Sequence, residues 1–375
     1  MPATPIGVKM AMLFVVALVL GACGSSTPGE KFDPATSSST VGSSNPPISQ
    51  TTVSTPVPLP ETAFDVTDAM LRERVRSAGL AGGTVVVVRG GEVVHSYSVG
   101  SVDVSTPLSV ASSTKWLTAA TLMTFVDDGS LTLDTGIGRW LPDFADDAPS
   151  ITVRQLLNHT SGVRDRDCLW NGGPLDACVQ LIARSPREFP AGSAYSYGNA
   201  DFHVLGRLVE VLGRADFASV VRDRITGPLG MSSTVWPGAP GGAGPAAGVR
   251  TTADDYLKFL SMILDHGESD GRRVLSRHSI EELVQNQIGG YDTDRDFAVG
   301  ITRIPRYGLG CWPDVVDADG RTVVVSGNGG KGFYPWVDFS TQSFGIIGVQ
   351  DDRGAQVAVP VSQRIAVEAR DVLRR

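Results

Sequence analysis

Residues 112–128, SSTKWLTAATLMTFVDD, are the stretch that most restricts the fold. Residues 107–111 before them read as extended, and Gly129 follows where a left-handed helix cap belongs. Trp116, Leu117, Ala119, Ala120, Leu122, Met123, Phe125 and Val126 cover nearly the whole circumference. A helix that is apolar all round is buried all round. The remainder of the chain must therefore wrap this helix.

Ser112 and Lys115 stand three apart at its first turn, so they share one face. Burial and the positive end of a helix both disfavour a charged lysine, which readies it to act as a base near neutral pH. The same helix end favours the alkoxide that forms when a serine loses its proton. Ser-x-x-Lys is a candidate nucleophile and base on one rigid element.

Further groups fit that chemistry. Tyr197-Gly198-Asn199 lies in a small-residue turn just before a helical pattern, with Tyr195 as a nearby competitor. A phenol beside an amine can shuttle a proton to a leaving group, and an amide can orient it. Later, SGNGGKGF (326–333) joins two apparent strands. Its glycines let backbone N–H groups approach a ligand, as an oxyanion hole requires.

Other chemistries lack parts. The five histidines occur in unrelated contexts, with no His-x-x-x-His or Cys-x-x-Cys pair for zinc. His159 reads as a structural loop residue. There is no Gly-x-Ser-x-Gly elbow, phosphate loop or dinucleotide fingerprint, so neither metal nor cofactor is expected. A net charge of −8 without a basic run argues against nucleic acid as a partner.

The N-terminus carries an address. After Lys9, residues 10–20 form an apolar run too short to span a membrane and suited to a secretory signal. The run ends in Leu20-Gly21-Ala22-Cys23, which resembles a bacterial lipoprotein box. That resemblance implies a signal peptide over 1–22 and lipidation of Cys23, anchoring the protein to the outer face of the cell membrane. Residues 24–60 contain 22 Ser, Thr or Pro among 37, so 23–62 reads as a lipidated cysteine and disordered tether. As a flexible coil the tether would reach roughly 35 Å. A folded domain is expected over 63–375. In an oxidising compartment Cys168 and Cys178 can close a short loop around Trp170, Asn171 and Gly172, leaving Cys311 free; other pairings stay open.

Periodicity gives a helix at 67–78, a valine-rich hairpin at 83–98, and helices at 199–213, 215–226, 252–266 and 276–286 around a loop at 237–248. Strands at 321–326, 333–338 and 343–349 and a helix at 359–374 close the chain. Strands at both ends with helices between suggest one sheet built from distant segments and a helical lobe inserted in the middle.

Taken in order, these pieces resemble the serine β-lactamase-related family, which includes class C β-lactamases, D-Ala-D-Ala carboxypeptidases, esterases and 6-aminohexanoate-dimer hydrolases. Ser112/Lys115 and Tyr197/Asn199 match its first two motifs, and LLNHTSGV (156–163), GPLGMSST (227–234) and GVRTTADDYLKFL (248–260) match three landmarks. The resemblance implies an α+β fold: an antiparallel β-sheet flanked by the N- and C-terminal helices, plus an inserted all-helical lobe. It implies catalysis by Ser112, Lys115 and Tyr197, and an oxyanion held by the backbone N–H groups of Ser112 and Lys331. Asn328, Gly329 and Gly330 stand where penicillin-recognising relatives carry Lys-Thr-Gly or a histidine version. The cation for a substrate carboxylate is missing there unless Lys331 or an arginine compensates. The expected substrate is thus a small ester or amide. The alternatives are a β-lactam or peptidoglycan peptide, or a catalytically silent envelope binding protein. Phe333, Tyr334, Trp336 and Trp312 are candidates either for the groove lining or for the core.

Overall fold

The computed structural model describes residues 59–147, 150–166, 168, 173–237, 244–290 and 306–375. The expected signal peptide, Cys23, nearly all of the expected tether, and Trp170, Asn171 and Gly172 lie outside the described residues. Among the described residues no helix is long and apolar enough to cross a membrane.

The chain enters through helix α1 (Asp65–Ala78), which ends at Gly79 in the left-handed region, with the Gly79 and Leu80 N–H groups satisfying the last carbonyls. Strands β1 (Gly82–Arg89) and β2 (Glu92–Gly100) form the expected hairpin. Gly90 and Gly91 both have positive φ, as a two-residue turn matching strand twist requires. Strand β3 (Leu108–Ser109) leads to helix α2 (Thr114–Asp127). The lobe contributes α3 (Val153–Leu157), α4 (Leu175–Ala183), α5 (Ala200–Gly213), α6 (Phe217–Val221) and α7 (Gly244–Ala247). Next come β4 (Arg250–Thr251), α8 (Ala253–Leu264), the small hairpin β5 (Glu268–Ser269) and β6 (Arg272–Arg273), and α9 (Arg277–Val284). Strands β7 (Trp312–Val316), β8 (Thr322–Ser326), β9 (Tyr334–Asp338) and β10 (Ser343–Val349) precede helix α10 (Ala355–Arg374).

The main sheet is antiparallel with strand order β2-β1-β10-β9-β8-β7, so β1 from the start of the chain lies beside β10 from its end. Side chains alternate between its faces. Val85, Val87, Tyr334, Trp336, Ile347 and Val349 pack with Leu71, Val75, Ile365 and Ala369 of the terminal helices. Phe344, Ile346, Val325 and Val337 join α2, α5 and α8 in the larger core. With both faces covered, β10 is buried throughout. Helix α2 is the hub: every residue from Thr114 to Phe125 is buried.

Several boundaries differ from expectation. Residues 222–226 form a π-turn rather than regular α-helix, and part of the 237–248 loop is the short helix α7. Helix α10 starts at Ala355 and keeps Pro360 inside it, forfeiting one hydrogen bond near its start.

Candidate active site

The turn into α2 is held from several sides. Leu108 pairs with Thr251, and the Val110 N–H donates to the Val249 carbonyl at 3.1 Å. Ala111 then adopts φ +44°, a left-handed conformation that costs a non-glycine residue about 1–2 kcal/mol. This bend turns the chain from strand into a 3₁₀ turn, Ala111–Ser113, that runs into α2. The Ser113 hydroxyl donates to the Gly327 carbonyl, and the Tyr256 hydroxyl donates to the Ser113 carbonyl at 2.9 Å. Ser113 and the residues after it are buried, whereas Ser112 remains partly accessible.

Lys115 is fully buried. Its Nζ donates to Asn199 Oδ1 at 2.8 Å and the Ala246 carbonyl at 3.2 Å, and lies 3.4 Å from Ser112 Oγ. Loss of hydration brings its pKa down to about 7, against the opposing pull of Asp165 and Asp201. A neutral amine has two N–H bonds and one lone pair. Asn199 Oδ1 and the Ala246 carbonyl can only accept, so they take both N–H bonds and leave the lone pair for the Ser112 hydroxyl. The arrangement can move a proton from Ser112 to Lys115.

Tyr197 stands over this amine, with Nζ 4.9 Å from its ring centre. Its ring leans on His159 at 4.6 Å and on Trp312 at 5.4 Å. Tyr195, the competing phenol, is fully buried. Asn199 is fixed because Asp165 Oδ1 accepts from the backbone N–H groups of Asn199 (2.9 Å) and Ala200 (2.7 Å), capping α5. Behind the tyrosine, His159 sits at φ +61° with Nδ1 2.8 Å from Asp201 Oδ2. Burial pushes this imidazole's pKa down and the Asp201 carboxyl's up. His159 is thus a wall behind Tyr197.

The 326–333 loop closes the far side. Gly329 is required by close approach, because a Cβ there would lie 2.2 Å from the Val110 carbonyl. The Gly329 N–H donates to the Phe333 carbonyl and the Gly332 N–H to the Gly329 carbonyl, both at 2.8 Å. Asn328, between Gly327 and Gly329, is buried, and its Oδ1 lies 3.1 Å from the Ser326 hydroxyl. Gly330 follows, with only Ala355 near its missing Cβ. Lys331 pairs its ammonium with the exposed Asp352 at 2.9 Å, so that cation is engaged at the surface. Phe333, Tyr334 and Trp336 are core residues with no exposure. Trp312 instead joins Tyr195, Tyr307 and Ile288 in an aromatic cluster that supports Tyr197.

Sequence reasoning missed Ala246 and Asp165. Ala246 acts through a backbone carbonyl, which leaves no residue signature, and Asp165 reads as one more loop aspartate. Cys168 and Cys178 form a disulfide, and Cys311 is free and buried. His203 lies close to both disulfide sulfurs, but sulfurs bonded to each other offer no thiolate to a metal.

A family model described as Beta-lactamase matches residues 67–369. Penicillin-binding protein 4 of Amycolatopsis lactamdurans is 31% identical over 250 residues, a match covering 56% of this chain and 64% of that protein. Esterase EstB of Burkholderia gladioli is 32% identical over 193 residues, covering 44% of this chain and 49% of that one. Both matches span less than two thirds of the relative's length. A solved structure from Bacteroides dorei, assigned there as a beta-lactamase, aligns with a TM-score of 0.75 at 27% identity, covering 83% of this chain and 99% of that one.

Proposed function

This chain belongs to the beta-lactamase family of serine β-lactamase-related hydrolases, and on that premise we propose that it cleaves an ester or amide bond through an acyl-enzyme on Ser112. The observation that carries this reading is the fully buried Lys115 amine, 3.4 Å from the Ser112 hydroxyl, with the Asn199 and Ala246 oxygens placed to take its N–H bonds. Lys115 takes the hydroxyl proton as Ser112 Oγ bonds to the substrate carbonyl carbon. The resulting oxyanion is held by the backbone N–H groups of Ser112 and Lys331. Tyr197 passes the proton to the leaving oxygen or nitrogen as that bond breaks. Water then attacks the acyl-enzyme, gives a proton back through the same groups, and releases the acid and free Ser112.

Asn328 in place of a cation, and the Lys331 ammonium tied to Asp352, favour a small ester or amide without a carboxylate to anchor. A β-lactam or peptidoglycan peptide is the second reading, supported by the likeness to a penicillin-binding protein. In the same proposal the chain is secreted and held to the outer face of the bacterial cell membrane by a lipid on Cys23. The apolar run at 10–20 and the Leu20-Gly21-Ala22-Cys23 sequence support that part.

Labelling the purified protein with a fluorophosphonate and with a fluorescent penicillin separates the readings. Reaction at Ser112 with the first alone supports the esterase-like enzyme, and reaction with both supports a penicillin-recognising one. A Ser112→Ala protein with undiminished turnover of a nitrophenyl ester would end the proposal.

A further inference from the structure

The loop that carries Asn328 is backed by a buried polar chain. Asp314 lies in the irregular part of β7, where the register shifts between Pro313 and Val315. Its Oδ1 is 3.0 Å from the Ser326 hydroxyl, and that hydroxyl is 3.1 Å from Asn328 Oδ1. Its Oδ2 receives the Tyr334 hydroxyl at 2.9 Å and the Arg370 guanidinium at 3.4 Å. Ser326 and Tyr334 are fully buried, and Asn328 is 3% exposed. Among the described residues the Asn328 side-chain nitrogen has no hydrogen-bond partner, although it is buried.

Counting protons orders this chain. Ser326 has one proton and stands between two oxygens. If Asp314 were ionised it would claim that proton, and the Asn328 carboxamide would have to turn its NH₂ inward to donate to Ser326, presenting its oxygen outward instead. If Asp314 carries a proton on Oδ1, that proton goes to Ser326 Oγ and the Ser326 proton goes to Asn328 Oδ1. Along the run from Asp314 through Ser326 to Asn328 every donor then meets an acceptor except the Asn328 NH₂. An unmet buried donor is costly, so it calls for a partner from outside the chain.

We propose that protonated Asp314 acts through Ser326 as a positioning residue, holding the Asn328 carboxamide with its oxygen inward and its NH₂ presented to an uncharged acceptor, such as a carbonyl oxygen, on the substrate. This rests on the Ser112 acyl-enzyme reading and deepens it. Burial raises the Asp314 pKa, which agrees with the protonated form. The titratable and charged groups facing Asp314 are Arg370 from α10, Tyr334 from β9 and the buried thiol of Cys311, while Arg306 donates to its backbone carbonyl. Of these, Arg370 alone favours the ionised form by charge, and it is the more distant of the two Oδ2 donors.

The test uses Asp314→Asn, Asp314→Ala and Ser326→Ala in the full chain, with nitrophenyl ester kinetics and fluorophosphonate labelling. Asparagine at 314 imitates the protonated acid, giving an N–H to Ser326 and keeping a carbonyl for Tyr334 and Arg370. Asp314→Asn is expected to keep KM within about twofold, whereas Ser326→Ala and Asp314→Ala raise it about tenfold with a smaller change in kcat, the size of one hydrogen bond. Above the Asp314 pKa the parent protein's KM should rise while that of Asp314→Asn stays flat. An Asp314→Asn protein as impaired as Asp314→Ala would show that the anion matters and overturn the proposal. A KM unchanged in Ser326→Ala would do the same. If the fluorophosphonate labels a residue other than Ser112, the acyl-enzyme reading itself fails and the positioning role falls with it.

Discussion

Lys115 Nζ donates to Asn199 Oδ1 at 2.8 Å, tying the first turn of α2 to the residue just before α5. This bond aims the amine, because it takes one of the two N–H groups that would otherwise be free to rotate toward Ser112. Asn199→Asp puts a negative charge in the same place. An adjacent carboxylate favours the charged lysine, so more base is needed to deprotonate it. The acidic limb of kcat/KM against pH should move up by about one unit or more. A limb that stays in place would mean that Lys115 is not the titrating group.

The unsubstituted protein gives the reference profile. With Lys115 at about 7, kcat/KM on a neutral ester should climb with pH through that region and then level. Stability carries the same signature with a definite sign. Between about 7 and the ordinary lysine value of 10.5, the unfolded chain holds a proton that the folded chain does not. The lysine's contribution to unfolding free energy therefore rises with pH in that window, by up to about 1.4 kcal/mol per unit, and is flat below it. Urea melts of the parent and of Lys115→Met, compared at several pH values, isolate the effect. A difference between them that is constant from pH 6 to 9 would contradict the assignment.

Two neighbouring glycines should respond differently to the same change. Alanine at 329 would bring a methyl to 2.2 Å from the Val110 carbonyl, so the loop must back away from the turn that carries Ser112. Alanine at 330 meets its nearest atom, on Ala355, at 3.4 Å, an ordinary contact. We expect Gly329→Ala to lose about 1–3 kcal/mol of stability and at least about tenfold in kcat/KM. Gly330→Ala should melt within about 0.5 kcal/mol of the parent. Equal melting of the two variants would show that the loop has slack that the packing does not suggest.

What the sequence disclosed, and what it hid, follows from how each residue acts. Ser112 and Lys115 were legible because their spacing puts them on one helical face and the residues after them are apolar on every side. Asn199 was legible through its place in a recognisable turn. Ala246 was hidden because any residue could supply its carbonyl. Strand β7 was hidden because Pro313 and Asp314 break the alternation that marks a strand, and the structure accommodates them with a register shift. Helix α4 escaped because its nine residues lie among glycines, prolines and a cysteine that read as a loop. Tyr334 and Trp336 looked available for a groove, yet both point to the sheet face covered by α1 and α10. Nothing along one strand tells which of its faces will meet the substrate.

The disulfide offers a test away from the chemistry. Cys168 and Cys178 are ten residues apart, and their bond ties Cys168 to α4. Cys178 Sγ lies 3.9 Å from His203 Nδ1, so the link also rests against α5. Closing a loop of this length restricts the unfolded chain by about 2–3 kcal/mol in the chain-entropy account. Reduction, or Cys178→Ser, should therefore lower the melting temperature by roughly 3–5 °C. The group between α5 and the amine is Asn199, one turn before His203, and it has its own anchor in Asp165. The acidic limb of the pH profile should thus stay in place while the melting temperature falls. A reduced protein that melts with the oxidised one would mean that the bond adds little to the stability of the folded chain.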